Sequence, residues 1–465
     1  MAGRKDILLG QLRGGAAMTT GQQLRLTMLL AVPAILAQLS MCLMSYIDAA
    51  MVGRLGSAQA AAVGLVSSST WILGSFCYAN SSGFSVQIAH RCGARDFEGA
   101  RKIFRQGLLT VVGAGIVLGI LGFSISGALP RWLGGSPEII ADAADYFRIY
   151  SLFLPLFQIA VYAEATLTAS GNVKVTSIIS VAMCVLDVGF NYLFIFVLGM
   201  GVKGAALGTG LAELCAGAAG LIYAVTSSPE LHSTQVSCGC ATFGNIEIKA
   251  DVARKALDIS WPLWIQNLVV RGAYLAATVL IAPLGTVAIA ANSFAIIAEG
   301  FCYLPGNGMQ DAASTLVGQS LGAGRRNMAR RFSFITIASG ASMMTFLAVL
   351  MWLFAPQIMG LLTPDPDVIC LGAKCLRIEA WAELFFGVSI VAGGCFIGAG
   401  DTLFLSAANL LSMWVIRIGL ALLLIPRYGL EGYWIAMATE LTVKGIIFAV
   451  RVRGQRWMQG NKLKK

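Results

Sequence analysis

The residues from Leu26 to Val52 form a run of 27 that is almost wholly apolar and carries one charge, Asp48. At 1.5 Å per residue, a helix of this length crosses a hydrocarbon core of about 30 Å. An ionised carboxylate inside such a helix costs roughly 3 kcal/mol, so it usually faces a cavity and marks an ion or substrate path. The run therefore predicts a membrane-spanning helix with a functional acid, although Asp48 would also be stable as the partner of an intramembrane arginine.

One face of this helix carries Asp48 together with three methionines. Met41, Met44, Asp48 and Met51 follow the spacing i, i+3, i+7 and i+10, which places them on one side of an α-helix. Thioether side chains are polarizable and adapt to irregular surfaces. We therefore take Met41, Met44 and Tyr46 as candidates for lining a substrate cavity.

Composition assigns the whole chain to the polytopic membrane proteins. Of 465 residues, 57% are hydrophobic and 12% are charged, a balance that a soluble chain would hardly tolerate. The first apolar run is longer than a signal-peptide core and no cleavage pattern follows it, so we expect it to be retained. Twelve runs are predicted as spans, at about 26–52, 58–82, 107–129, 140–168, 173–199, 204–226, 257–283, 287–317, 333–355, 368–397, 403–425 and 430–451.

A polar stretch, 227–255, separates the first six spans from the last six. The predicted segments are a cytoplasmic N-terminal tail (1–25), an N-lobe (26–226), a cytoplasmic linker (227–255), a C-lobe (256–451) and a basic cytoplasmic tail (452–465). The cysteines are interpreted as small, reduced, buried residues. Cys238 and Cys240 in the linker lack the further ligands that a metal site needs, and we assign them no role.

Lysine and arginine are distributed unevenly between the two sides of the membrane. The tails and alternate connections on one side hold 23 of these residues, and the other side holds Arg54, Arg131, Lys203 and Arg427. By the positive-inside rule, both termini are cytoplasmic. The net charge of +10 is thus explained by anionic lipid at the cytoplasmic surface, and no nucleic-acid partner is expected.

The two halves of the chain are copies at an offset of 229 residues. Matched pairs include Pro33 with Pro262, Gly93-Ala94 with Gly322-Ala323, Arg148-Ile149 with Arg377-Ile378, and Gly171-Asn172 with Gly400-Asp401. Six spans per copy is an even number, so both copies insert the same way up. The predicted fold is an all-α membrane protein with twelve transmembrane helices in two parallel, pseudo-symmetric six-helix lobes, and a substrate is expected between them near the midplane.

The acids of the first and fifth spans are expected to work as a pair. Asp187 and Asn191 lie i, i+4 on one face of span five, in the same lobe as Asp48. Two carboxylates in a low-dielectric pocket cannot both ionise cheaply, so the pair should hold one proton or one cation. The equivalent positions in the second half are Ala277 and Ile416, and this asymmetry favours ion coupling over a structural role.

The second half has acids of its own. Glu379 and Glu383 are i, i+4 on the tenth span, where they would attract a cationic substrate. Alternatively, Glu379 pairs with Lys374 or Arg377 at the outer surface. Glu299, within the eighth span, is a further candidate for the cavity.

Several motifs resemble those of the multidrug and toxic compound extrusion (MATE) family. They are Asp48 followed by Gly53-Arg-Leu-Gly56, the loop Val317 to Arg331, Gly398 to Thr402, and Leu186 to Ala206, and the resemblance extends from about residue 24 to 451. It implies twelve helices in two lobes and the export of organic cations or other xenobiotics in exchange for H+ or Na+.

The resemblance also implies roles for individual residues. Asp48 and Asp187 match the acids implicated in cation coupling, and Pro33 matches the proline that bends the first helix. Members with both acids often carry Asn four residues before the second one, whereas this chain has Met183. The missing oxygen ligand weakens a Na+ site and favours H+.

The function expected from the sequence is that of a secondary multidrug exporter and not of an enzyme. No nucleotide-binding, zinc-protease or catalytic-triad motif is present, so the energy source should be an ion gradient, with no cofactor beyond H+ or Na+. Expected partners are small-molecule drugs or organic cations and the lipid of a bacterial plasma (inner) membrane, and the chain is expected to be monomeric. The alternatives are a flippase for lipid-linked saccharides, and a channel or membrane enzyme.

Overall fold

The computed structural model describes residues 4–232 and 249–459, and every regular element within these ranges is helical. Most of the predicted linker, with Cys238 and Cys240, and the end of the C-terminal tail lie outside the described residues. The first half contains α1 (Arg4–Arg13), α2 (Thr20–Gly53), α3 (Ser57–Gly93), α4 (Phe97–Ile125), α5 (Leu129–Trp132), α6 (Pro137–Ser170), α7 (Val173–Tyr192) and α8 (Val202–Thr226). The second half contains α9 (Ala250–Ile281), α10 (Thr286–Gly322), α11 (Arg326–Leu353), α12 (Ala355–Leu362), α13 (Pro366–Ala380), α14 (Glu383–Ala399), α15 (Thr402–Leu411) and α16 (Gly419–Arg453).

Ten helices of the described chain are long and apolar enough to cross a membrane, and α13 with α14 forms one further, bent candidate. One of the ten, Thr402–Arg453, has 52 residues. It would be about 78 Å long if straight, more than twice the hydrocarbon thickness. A non-helical backbone at Gly429 (φ 57°, ψ −134°) breaks it. Counting it as two crossings gives the twelve spans that the sequence predicts.

The tenth predicted span, 368–397, is not one continuous helix. It is divided into α13 and α14, which meet at an angle of 60° across Trp381 and Ala382. No proline lies at this point of the sequence, so the hydrophobic pattern alone did not indicate the break. Glu379 ends up one residue from the end of α13, and Glu383 begins α14.

Equivalent glycines end α6 and α14. Gly171 (φ 96°) and Gly400 (φ 77°) both adopt the left-handed conformation that terminates a helix. The polar residue after each one is then anchored: Asn172 donates to Glu230 Oε2 at 3.0 Å, and Arg451 donates to Asp401 Oδ2 at 2.9 Å. The repeat found in the sequence is therefore a repeat of helix termini as well.

Contacts group the residues into two compact units, one of Met1–Ile35 with Pro262–Lys465 and the other of Leu36–Trp261. The chain passes from one unit to the other inside α2, two residues after Pro33, and inside α9, at Pro262. Proline cannot donate the helical hydrogen bond and therefore weakens a helix where it lies. Both transitions thus occur at the equivalent prolines of the repeat.

Candidate functional site

Helices α2 and α7 bring Asp48, Asp187 and Asn191 together in the unit Leu36–Trp261. The Asn191 side-chain nitrogen, Nδ2, donates to Asp48 Oδ1 at 2.8 Å and to Asp187 Oδ2 at 3.0 Å. One amide group therefore links the two carboxyl groups, which we call the acid pair. Asp187 and Asn191 share one face of α7 because they lie four residues apart.

Some buried oxygen atoms of the acid pair and of Asn191 lack a hydrogen-bond partner among the described residues. Asp187 and Asn191 are 0% and 1% exposed, and Asp48 is half-buried. Asp187 Oδ1 and Asn191 Oδ1 are buried and accept no hydrogen bond in the part of the chain that the structure describes. The carboxyl groups of Asp48 and Asp187 are themselves within hydrogen-bonding reach of each other. Such a contact needs a proton on one of them, so the geometry suits a pair that shares a single positive charge.

A glycine on α8 makes room for Asn191. A Cβ on Gly208 would collide with Asn191 Oδ1 and would lie 2.9 Å from the Asn191 backbone nitrogen. Shortly after Asn191 the helix widens into a π-helical turn, Leu193–Val197, a feature often found at functional sites. Sequence reasoning missed Gly208, because a glycine in an apolar span reads equally well as ordinary close packing.

Two further polar residues near the acid pair were also missed. Tyr146 on α6 lies within electrostatic range of both carboxyl groups, and Thr209 on α8 lies beside Asp187. Neither belongs to a recognisable motif. Only the packing of α6 and α8 against α7 brings them to the acid pair.

The methionine face of α2 turns toward α7 and α8. Met44 packs against a cluster of Met183, Ala212 and Ala216, and Met51 packs against a second cluster that includes Val52. Tyr46 is 38% exposed and interacts with Cys42, away from these contacts.

Met41 lines a cavity of about 30 Å³ together with Glu164, Met183 and Glu213. This volume holds about one water molecule and no drug-sized compound. Glu213 is 8% exposed and has no ion-pair partner among the described residues. The cavity is therefore a small, mostly apolar pocket with two acids in its wall, and it lies in the same unit as the acid pair.

The second unit holds three buried acids, Glu299, Glu379 and Glu383, which we call the acid cluster. They are 7%, 0% and 0% exposed. No donor among the described residues reaches the side-chain oxygens of Glu379 or Glu383, and the carboxyl groups of Glu299 and Glu379 lie within hydrogen-bonding reach of each other. The acid cluster thus resembles the acid pair in chemistry, although not in position.

The alternative that Glu379 pairs with surface cations is wrong. Lys374 binds Glu431 at 3.2 Å, and Arg377 donates to the Trp352 carbonyl oxygen at 3.4 Å. Lys374 and Arg377 precede Glu379 by five and two residues on the same helix, α13, so at about 100° per residue both lie on other sides of this helix.

Arg417 is a buried cation of the same unit, and it already binds an acid outside the acid cluster. It binds Glu440 at 2.7 Å, and Lys444 binds the other oxygen of Glu440 at 3.1 Å. Arg417 also acts electrostatically on Glu299 and Glu379. One buried acid of this unit is therefore fully paired, and the three acids of the cluster are not.

No group of three or more His, Cys, Asp or Glu side chains with the arrangement of a metal site is found within residues 4–232 and 249–459. Pro33 lies within α2 without interrupting it. The sequence-predicted residues are therefore divided between two sites, the acid pair with Met41 and Met44 nearby, and the acid cluster.

Comparisons with known proteins agree with this organisation. The MatE family model matches residues 33–193 and 262–423, one match per half. The chain is 25% identical over 448 residues to the probable multidrug resistance protein NorM of Pasteurella multocida, covering 92% of this chain and 93% of that protein. It is 27% identical over 435 residues to the protein of the same name from Pseudomonas aeruginosa, covering 91% and 88%.

Solved structures show the same fold. A MOP superfamily transporter from Pyrococcus furiosus superposes with a TM-score of 0.87 at 20% identity, covering 98% of both chains. A variant of the MATE transporter VcmN of Vibrio cholerae superposes with a TM-score of 0.86 at 18% identity, covering 93% of this chain and 97% of that one. The predicted twelve-helix, two-lobe fold is confirmed. Since the family model matches both halves of the repeat, the chain belongs to the MatE family, the family of the NorM multidrug efflux transporters.

Proposed function

We propose that this protein is a secondary active exporter that exchanges organic, cationic or amphiphilic compounds for H+ by alternating access of its two lobes. The observation that carries the proposal is the acid pair, in which the nitrogen of one buried amide donates to both carboxyl groups. Loading this pair with a positive charge removes a buried negative charge. It therefore changes the free energies of two carrier states by different amounts, as coupling requires.

The direction of the Asn191 amide supports H+ over Na+. Hard cations bind oxygen ligands, but Asn191 turns its N–H group toward the acid pair. Its oxygen points instead toward Gly208. At position 183, where MATE members with both acids often carry Asn, this chain has Met183, and its apolar thioether takes part in the packing. A proton needs only the two carboxyl groups and fits the donor geometry as it stands.

The unpaired acids support a cationic substrate. The acid pair, Glu213 and the acid cluster all lack an ion-pair partner among the described residues. A buried, unpaired negative charge is costly and is relieved by binding a proton or a cation. A flippase for pyrophosphate-linked saccharides would instead need basic groups at these depths, so this alternative is disfavoured.

The location belongs to the same proposal. The asymmetry of lysine and arginine supports a multi-pass protein of the bacterial inner membrane with both termini in the cytoplasm. We also take the chain to act as a monomer, because each lobe carries its own acids and no further copy is needed to complete either site.

The test is transport by the purified protein in proteoliposomes. Ethidium movement is measured under an imposed pH gradient and, separately, under an imposed Na+ gradient. We expect transport under the pH gradient alone, with losses of about a hundredfold in Asp48→Asn and Asp187→Asn, comparable to removing a group that acts directly in proton transfer.

Asp251→Asn is the matched control, because Asp251 is exposed in the first turn of α9 and far from either site in sequence. It should transport at the wild-type rate. Equal transport under both gradients, or full activity of Asp187→Asn, would remove the acid pair from the mechanism.

A further inference from the structure

The two halves differ at one position of their equivalent cytoplasmic loops. In the first half, Asp96 accepts a hydrogen bond from the Gly99 N–H at 2.8 Å and so caps the start of α4. The equivalent position at the offset of 229 is Arg325, and the start of α11 has no side-chain cap. A carboxylate that neutralises the loop in one half is thus replaced by a cation in the other.

Arg325 is directed to the N-terminal segment. Its Nη1 atom donates to the Leu12 carbonyl oxygen at 3.1 Å, and its Nη2 atom donates to the Ala16 carbonyl oxygen at 2.7 Å. Leu8, Leu9 and Leu12 of α1 are buried, at 6%, 2% and 0% exposed. Helix α1 is therefore docked on this unit.

A cavity of about 620 Å³ lies between this segment and the loop. Its lining includes Ala17, Met18, Arg325, Arg326, Asn327 and Arg331. The volume lies within the range typical of small-ligand sites. The wall combines arginine side chains, an amide and backbone with two methionines, Met18 and Met328.

The positive charge of this cavity has no internal counter-charge. The lining contains no acid, and no carboxylate of the described chain forms an ion pair with Arg325, Arg326 or Arg331. The equivalent loop of the first half is balanced by contrast, since Arg91 binds Asp96 at 2.6 Å and Lys102 binds Glu98 at 2.7 Å. An open cavity with three arginines and no acid suits an anion with more than one phosphate oxygen.

We propose that this cavity binds the phosphodiester headgroup of an anionic phospholipid. The predicted orientation puts the loop at the cytoplasmic surface, where basic pockets beside transmembrane helices meet anionic headgroups. Met18 provides an apolar wall at the side of the phosphate site. A soluble phosphate compound shares the chemistry, and the experiment separates the two sources.

Lipid retention by the purified full-length protein, measured by native mass spectrometry during titration, tests the proposal. Cardiolipin and phosphatidylglycerol should be retained in preference to phosphatidylcholine. Removing two arginines in Arg326→Gln/Arg331→Gln should weaken cardiolipin retention about tenfold or more. Arg326→Lys/Arg331→Lys keeps the charge and should lose less, and the lipid-free melting temperature of each variant reports that it is folded.

The matched control is Arg101→Gln/Lys102→Gln. It removes two charges from the first-half loop, at positions equivalent to Arg330 and Arg331. It should change retention by less than twofold. Equal losses in the control and in Arg326→Gln/Arg331→Gln would mean that lipids respond to surface charge in general and would overturn the proposal. Wild-type lipid retention by Arg326→Gln/Arg331→Gln would overturn it as well.

Inorganic diphosphate, titrated in lipid-free detergent, distinguishes the sources. We expect it to bind weakly and to be displaced by cardiolipin. Tight binding of diphosphate that cardiolipin fails to displace would assign the cavity to a soluble anion and refute the lipid assignment. Because binding and transport are measured separately, this result is independent of the proposed antiport.

Discussion

Asn191 links the acid pair, because its amide nitrogen donates to both Asp48 and Asp187. The carboxyl oxygens accept hydrogen bonds and therefore favour the N–H end of the amide. Gly208 leaves space for the other end, Asn191 Oδ1. At the scale of single residues, the proposed preference for H+ rests on this N–H donor.

We predict that Gly208→Ala impairs coupling. The added methyl group would collide with Asn191 Oδ1, so the amide must shift or rotate away from the acid pair. Transport under a pH gradient should fall at least tenfold, since small displacements of positioned groups have effects of this size. The measurement is ethidium transport in proteoliposomes.

Gly113→Ala on α4 is the control, because a Cβ there has open space around it. This variant should keep wild-type transport and be as stable as wild type or slightly more so. Unchanged coupling in Gly208→Ala would show that Asn191 is not held in place by this contact.

At the scale of helices, the ends and breaks do most to position charge. The 60° break between α13 and α14 lies between the buried acids Glu379 and Glu383, and the π-helical turn Ser412–Ile418 carries Arg417. Neither feature coincides with a proline that would have indicated it in the sequence. Both arise where a helix must adapt to its neighbours.

We predict that Arg417→Gln strongly destabilises the protein. Removing Arg417 leaves Glu440, which is 0% exposed, with Lys444 as the one cation that still binds it within residues 4–232 and 249–459. Breaking a buried pair in this way costs about 3 kcal/mol. The midpoint of thermal unfolding in detergent should fall by several degrees.

The double variant Arg417→Gln/Glu440→Gln should recover part of this loss, because it removes the uncompensated charge as well. If the single variant were as stable as wild type, the ion pair between Arg417 and Glu440 would not contribute to the stability of the protein.

We predict a smaller loss for Asp96→Ala, one that does not vary between pH 6 and pH 8. The bond from the Gly99 N–H lowers the pKa of Asp96, with a further lowering from Arg91. A lowered folded-state pKa stabilises the protein above the unfolded pKa of about 4, and the effect disappears as the pH falls through the folded value. The cost of the substitution, about 1 kcal/mol, should therefore be the same at pH 6 and at pH 8.

Thermal unfolding at the two pH values measures this cost, with the exposed Asp251→Asn as a control that should leave the midpoint unchanged. A loss that grew between pH 6 and pH 8 would contradict an Asp96 that is ionised throughout.

At the scale of the molecule, two copies of one architecture carry different chemistry. Tyr150 donates to the Thr70 carbonyl oxygen at 3.1 Å, and the equivalent positions in the second half are Glu379 and Glu299, which face each other as acids. Conversely, the acid pair is replaced by Ala277 and Ile416. Each unit is thus acidic at positions that are neutral in the other.

This division predicts separable roles. Glu379→Gln/Glu383→Gln should raise the KM for ethidium about tenfold and leave the maximal rate under a pH gradient near wild type, as expected for lost ground-state binding. Asp187→Asn should lower the maximal rate instead. Initial rates over a range of ethidium concentrations distinguish the two patterns.

Loss of maximal rate in both variants would mean that the acid cluster takes part in coupling and not only in attracting the substrate. The exposed Asp251→Asn variant again serves as the reference for both parameters.

The sequence by itself determined the membrane class, the spans, the repeat and the residues Asp48, Asp187 and Asn191, because each of these depends on local hydrophobicity, on periodicity or on the cost of a charge in a bilayer. Only the tertiary structure decided which way the Asn191 amide points, that Gly208 leaves room for it, and that Glu379 is buried and not paired at the surface. Those outcomes depend on contacts between helices far apart in the chain, and no pattern along one helix contains this information.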